Sequence, residues 1–229
     1  GMNSHVMQAA ARACRSLKPD LFIVYMGNNE AVGPYGPTTA LGRHSWWWRP
    51  PVIRLLIAVN DLRMAQLFRG AMQPMAVPEK DALMAMLPSM THHERAIEYY
   101  EENVRTLCEA GNQVGIPVLL CTLSGNMRYM GVPSPEEPKG PSINQTVRRL
   151  AQEMPSVHLA DVSSAIREQS EEGLPGYDFF VDNVHFNFAG NYAAAAAMFH
   201  NLLPLLPNAA PRDGTPLPLP DCAERLAWT

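Results

Sequence analysis

Asp182-Asn183-Val184-His185 puts a carboxylate and an imidazole three positions apart, just ahead of a helical stretch. At that spacing the two side chains can turn toward each other. The carboxylate then accepts from one imidazole nitrogen and leaves the other free as a general base. The structural alternative has His185 at a helix start with Asp182 as its N-terminal partner. A second polar group, Gly27-Asn28-Asn29-Glu30, directly follows an apolar run at 21–26. Ligands of open parallel sheets bind beyond the carboxyl ends of strands. Gly27 permits a tight turn there, and the Asn29 amide can donate to a developing oxyanion. Asn and Gly are also what any strand-to-loop turn uses. His92-His93-Glu94 offers two more imidazoles, but neighbours on a helix point about 100° apart and no third ligand follows at useful spacing. It reads as a surface cluster at a helix start, and no metal is implied.

The elements that must position these groups alternate. Apolar, β-rich runs at 21–26, 116–123 and 157–162 are bounded by Gly and Pro, as parallel strands covered on both faces are. Helical patterns occupy 4–17, 95–110, 143–153 and 187–203. In the second of these, Ala96, Ile97, Tyr100, Val104, Leu107 and Cys108 keep the 3.6-residue spacing. Alternating helix and strand predicts a doubly wound α/β domain with a parallel sheet. The alanine-rich stretch 193–197 suits close packing that braces the turn at His185. Residues 34–91 break the rhythm and read as a helical insertion. It holds Trp46-Trp47-Trp48, a helix opened by Pro50-Pro51 and running to Arg69, and a short helix around 79–87. Its methionines (Met72, Met75, Met84, Met86, Met90) read as adaptable core filler rather than a lipid surface. The Trp triplet either anchors the insertion or forms a lid. Residues 204–220 carry six prolines and read as a stiff linker. A helix then begins at 221, with Asp221 as its N-cap.

Composition narrows the function classes. The chain has 229 residues, 47% of them hydrophobic and 17% charged, which is ample for a packed core. With 18 Lys+Arg against 22 Asp+Glu, the net charge of −4 provides no basic excess to neutralise phosphates, so nucleic acid is an unfavourable partner. No apolar run approaches the roughly 18–20 residues that cross a bilayer; Arg54 interrupts the best one. The four cysteines show no C-x-x-C spacing, and Cys14, Cys108 and Cys121 read as small buried thiols.

Taken together and in this order, the two polar blocks resemble those of the SGNH, or GDSL-type, hydrolases. That family carries a nucleophilic serine after its first strand, a glycine after the second, G-x-N-[DE]-like residues after the third and D-x-x-H near the end. Gly27-Asn28-Asn29-Glu30 looks like the third block, with Glu30 where Asp is more usual. Asp182 to His185 matches the fourth. Gly1-Met2-Asn3-Ser4-His5 looks like the tail of the second, with Gly1 as its oxyanion glycine. The chain is most similar to bacterial SGNH domains that precede tetratricopeptide-type repeats. The likeness includes the G-P-Y-G at 33–36, the H-x-N-F-x-G-N-Y at 185–192 and the C-A-x-x-L-A-x-T at 222–229.

The resemblance implies a flavodoxin-like three-layer α/β/α fold of strand order 2-1-3-4-5. Its first two strands and the serine block would precede residue 1, so that 1–203 form a partial hydrolase domain. It implies serine-dependent hydrolysis of carboxylic esters or acyl groups, a small-molecule or carbohydrate ester as substrate, and no cofactor. His185 is then the base, Asp182 its partner, Asn29 and Gly1 oxyanion donors, and Gly27 and Glu30 supports of the site. Ser4 reads as an N-cap and Ser124 as turn chemistry, so neither replaces the nucleophile, and the chain by itself is expected to be inactive. Acyl transfer on the same residues and a non-catalytic binding or scaffold module are the alternatives. Without the first two strands, residues 21–26 would be an apolar edge open to self-association.

Overall fold

The computed structural model describes residues 2–33, 35–36, 50–60, 90–132, 134, 141–206 and 214–228, side chains at 60 and 90–93 excepted. The chain is mixed α/β with a three-stranded parallel sheet, the expected class. It divides into two units, one of Gly1–Leu17 with Met26–Ala110 and one of Lys18–Tyr25 with Gly111–Thr229.

The second unit holds the sheet, with β1 (Phe22–Val24), β2 (Val118–Cys121) and β3 (Val157–Ala160) in the order β1-β2-β3. This is the succession of the last three strands in a 2-1-3-4-5 sheet. Phe22 lies opposite Val118, and Val118 opposite Val157. All four residues of β2 are fully buried, as a strand covered on both faces requires. β1 departs from that expectation. It pairs only with β2 among the described residues, and Ile23 is 49% exposed.

The strands are shorter than their apolar runs because side chains take over the backbone partners at their ends. Beyond β2, Leu123 donates its N–H to Asn144 Oδ1 at 2.7 Å and accepts from Asn144 Nδ2 at 2.8 Å. Beyond β3, the run 157–162 does not continue as a strand. Asp161 caps helix α5 (Val162–Gln169), an element the apolar pattern concealed, by accepting from Ser164 N at 3.2 Å. Three more donors converge on the Asp161 carboxylate: Arg148 Nε (2.9 Å) and Nη2 (3.1 Å), and Thr122 Oγ1 (2.8 Å). Thr122 Oγ1 in turn accepts from Ser163 N at 2.9 Å. Burial raises the Asp161 pKa, but the Arg148, Thr122 and Ser164 hydrogen bonds outweigh it and hold the group at about 2.

Helix α4 (Ile143–Glu153) coincides with its predicted span, its Ser142 N-cap accepting from Gln145 N. Helix α6 (Phe188–Leu202) is capped by Asn187 and buries Ala193 and Ala194 in a core with Leu119, Cys121, Ala160, Val162, Ile166 and Phe180. The carboxyl-terminal helix α7 (Leu219–Arg225) has Pro218, not Asp221, at its N-cap; the Pro218-x-Pro220 pair fixes φ for the opening turn and moves the start three residues earlier. This segment lies against α6: Tyr192 Oη donates to Leu217 O at 2.8 Å, and Trp228 stacks on Phe188 at 5.0 Å. Residues 207–213 lie outside the described residues.

The first unit is helical: α1 (Ser4–Cys14) with a 3₁₀ turn at Arg15–Leu17, α2 (Pro50–Asn60) and most of α3 (Met90–Asn112). The stripe Ala96, Ile97, Tyr100, Val104, Leu107 and Cys108 is buried, as its spacing predicts. The buried residues of α1 are Ser4, His5, Gln8 and Ala11, a largely polar face. Cys108 and Cys121 are buried but Cys14 is exposed, because the stripe fades in the last turn, where Arg12 and Ala13 also face solvent. The Trp triplet, the extension of α2 to Arg69, the helix around 79–87 and Met72, Met75, Met84 and Met86 lie outside the described residues, as does the Met90 side chain.

Replacing Asp161 by Asn removes the charge that holds Arg148 while keeping an acceptor for Ser164. It is expected to lower the unfolding free energy by about 1–3 kcal/mol, read from the urea midpoint at pH 7. Because the folded pKa of Asp161 is depressed, its contribution is complete above the ordinary 3.8 and is lost as pH falls through about 2.

Candidate active site

Residues 182–185 form a turn built around one carboxylate. Asp182 Oδ1 accepts from Val184 N at 2.9 Å and from His185 N at 2.8 Å, which closes the turn. Asp182 Oδ2 lies 2.7 Å from His185 Nδ1. The His185 and Val184 amides, and then the imidazole, hold the Asp182 pKa at about 2, so the group is ionised at neutral pH. With Nδ1–H donating to Asp182, His185 presents Nε2 as an acceptor, and no hydrogen bond occupies Nε2 among the described residues. The imidazole is 74% exposed.

The turn is braced on both sides. Val181 N donates to His185 O at 2.8 Å, inside a short antiparallel bridge between Phe180 and Phe186. Asn187 caps α6 with its Oδ1 and donates from Nδ2 to the carbonyls of Tyr177 and Asp178, both at 3.0 Å. Gly190 is required by packing: a Cβ there would stand 2.0 Å from Phe179 O. A further brace comes from Asn126, in the loop after β2. It is fully buried, and it donates from Nδ2 to Asp182 O at 3.1 Å and from its backbone N to Asn183 O at 3.0 Å, while its Oδ1 accepts from Tyr129 N. In the sequence Asn126 belongs only to the Ser124-Gly125-Asn126 segment that stops the 116–123 run. Only its contacts reveal the partner 56 residues away.

Ser124, on the same loop, is 7% exposed and lines an open cavity of about 280 Å³ with Met127, Met130 and Ile143. Its backbone N donates to Tyr25 Oη at 3.4 Å. No serine hydroxyl is hydrogen-bonded to His185 among the described residues.

The Gly27-Asn28-Asn29-Glu30 group belongs to the first unit. Gly27 has φ 148°, a conformation L side chains rarely adopt, and its carbonyl accepts from Glu30 N at 3.4 Å. Asn29 Nδ2 donates one hydrogen to Met2 O at 3.3 Å; its second has no partner among the described residues. Glu30 is 5% exposed, and its carboxylate accepts from Ser4 N at 2.9 Å and from Ser4 Oγ at 2.6 Å. Ser4 is therefore not the N-cap of α1. Asn3 occupies that position without a side-chain cap bond, and Glu30 satisfies the helix N-terminus from across the fold. Gly1 lies outside the described residues.

Behind Ser4 lies a buried polar network that the sequence pattern did not disclose. Asn103, fully buried on α3, donates to Ser4 Oγ at 3.0 Å, approaches His5 Nδ1 at 2.8 Å and accepts from Gln8 Nε2 at 3.2 Å. Gln8 Oε1 is buried without a hydrogen-bond partner among the described residues. Burial, with the Arg54 charge, lowers the His5 pKa to about 4; burial raises that of Glu30 to about 7 against the two Ser4 hydrogen bonds. His5 is thus neutral, accepting at Nδ1.

Among the described residues no group of three or more His, Cys, Asp or Glu could hold a metal ion; the His92 and His93 side chains lie outside them. Compared with family models, with curated proteins and with solved structures, the chain matches none.

The two buried titrating groups pull in opposite directions. Glu30 binds its proton more tightly when folded, so its contribution is complete below 4.5 and is lost as pH rises through about 7. His5 resists its proton, so its contribution is complete above 6.5 and is lost as pH falls through about 4. The wild type is expected to hold a nearly constant urea midpoint between pH 4.5 and 6.5, while Glu30→Gln loses midpoint steadily on acidification across that window. Parallel pH profiles for the two proteins would contradict this account.

Proposed function

We propose that the chain carries the acid–base pair of a serine-dependent esterase of the SGNH type. The observation that supports this reading best is the Asp182–His185 geometry: a carboxylate pinned by two backbone amides, 2.7 Å from Nδ1, with Nε2 facing solvent. Arranged so, His185 takes the proton of an attacking serine hydroxyl as it adds to the ester carbonyl. It then gives that proton to the departing alcohol, leaving an acyl-enzyme that water, deprotonated by the same nitrogen, releases as the acid. Asp182 fixes the tautomer and stabilises the imidazolium. By the same resemblance Asn29, whose amide keeps one hydrogen without a partner among the described residues, has the role of oxyanion donor; losing such a donor costs on the order of 10²–10³-fold in rate. The substrate is a small-molecule or carbohydrate ester, and the reaction needs no cofactor.

A second reading, a non-catalytic module, is favoured by the absence of a serine on His185 among the described residues. Acyl transfer to an alcohol uses the same residues and is separated from hydrolysis by product analysis with a polyol acceptor. The test is a short-chain ester assay on a longer chain that includes a serine block. His185→Ala is expected to abolish most of the activity; equal rates in wild type and variant would sink the assignment. Residues 1–229 alone are expected to resist covalent labelling by a fluorophosphonate, and labelling lost in Ser124→Ala would make Ser124 the nucleophile instead.

Among the described residues no helix is long and apolar enough to cross a membrane. Among the described residues β1 pairs only with β2 and Ile23 is exposed, which favours pairing with a second copy. We expect association in light scattering at moderate concentration, weakened by Ile23→Lys; a monodisperse monomer would contradict it.

A further inference from the structure

Glu30, Ser4 and Asn103 form a directional chain of hydrogen bonds. Asn103 Nδ2 donates to Ser4 Oγ, and Ser4 Oγ donates to Glu30 Oε2, so each donor points toward the carboxylate and strengthens the next bond. Glu30 Oε1 accepts from Ser4 N, one of the backbone groups that the first turn of α1 leaves without a helical partner. The adjacent residue, Asn29, is tied to Met2 O. Gly33 closes the same loop onto the helix start, where a Cβ would stand 2.8 Å from Asn3 Cβ. The 27–33 loop and the chain at Met2–Ser4 are therefore fastened at three consecutive points.

We propose that Glu30, held by Ser4 and through it by Asn103, is a positioning residue that fixes the Asn29 amide and the Met2–Asn3 backbone as one rigid oxyanion-binding element. This rests on the esterase reading for its purpose, but not for its physical content. Glu30 never touches substrate; it acts through Asn29 and through the start of α1.

The surroundings leave the clamp to this one charge. No ion pair reaches Glu30 among the described residues. On α1 the neighbouring titratable group is His5, edge-on to the Tyr99 ring of α3 and neutral. On α2, Arg54 is engaged with Glu102 of α3 at 2.6 Å. Tyr100 Oη of α3 donates to Met26 O. Protonating Glu30 removes the charge that both Ser4 donors point at, and the two fastenings from Ser4 weaken together.

The experiment follows the Asn29 side-chain amide and the Ser4 backbone amide by nitrogen–proton correlation spectra of the chain from pH 5.5 to 8.5. Both resonances are expected to titrate with a midpoint near 7, to lose that titration in Glu30→Gln, and to keep it in His185→Ala. Ser4→Ala, which removes one donor, is expected to shift the midpoint upward and keep the titration. An Asn29 amide that does not respond to pH, or a response that disappears with His185→Ala and persists in Glu30→Gln, overturns the proposal. In a longer chain bearing a serine block, Glu30→Gln is expected to lower kcat by about tenfold while KM changes little, the signature of a donor misplaced in the transition state. If His185→Ala leaves that activity intact, the esterase reading fails while the spectra still decide the role of Glu30. If His185→Ala abolishes activity and Glu30→Gln leaves kcat and its pH profile unchanged, the reading stands and the positioning role falls.

Discussion

The candidate site depends on the use one carboxylate makes of its two oxygens. Asp182 Oδ1 closes the 182–185 turn through two backbone amides, and Oδ2 orients the imidazole. The group that shapes the backbone is also the one that holds the imidazole. The rest of the second unit supports that turn. Asn187 and Gly190 seat it on α6, and Asn126 seats it on the loop that β2 delivers. A short carboxylate three residues before the histidine is the right length for both tasks. Glutamate would reach the imidazole but overshoot the amides.

The two units solve the same problem differently. In the second, polar groups gather at strand ends, where Asp161 and Asn144 take over backbone partners the sheet no longer supplies. In the first, polar groups are buried in the interior: α1 turns Ser4, His5 and Gln8 inward, and Asn103 meets them from α3. Burying such groups is costly unless they pair, and the residual mismatch shows in Gln8 Oε1, without a partner among the described residues, and in the opposed pKa displacements of Glu30 and His5. Stability alone would place apolar residues on that face. Polar ones there mark a region shaped by something besides packing.

Much of the scaffold was legible before the structure, because continuous apolar runs and 3.6-residue stripes are first-order effects of burial. Helix α4 and the α3 stripe fall where the pattern puts them. Helix α5 was hidden because Asp161-Val162 extends an apolar run, and only the convergence of Arg148, Thr122 and Ser164 on Asp161 shows that the strand has ended. The Asp182–His185 pair was visible because its partners are three residues apart. Asn126, Ser4 and Asn103 were not, because their partners lie 26 to 99 residues away and nothing in local spacing encodes such a meeting. The inward face of α1 was hidden for the same reason, since no local pattern shows that Ser4, His5 and Gln8 turn toward the interior.

The Asn144 side chain mimics one rung of a further strand, giving Leu123 both an acceptor and a donor where the sheet has stopped. Leu123 is thus held two residues past the last paired position of β2, and the Asn126 amide is held in turn by Asn183 O. The loop that carries Asn126 thus leaves the sheet from a pinned rather than a frayed origin. Asn144 at its start and Asn126 further along therefore give the 182–185 turn a hydrogen-bonded mount.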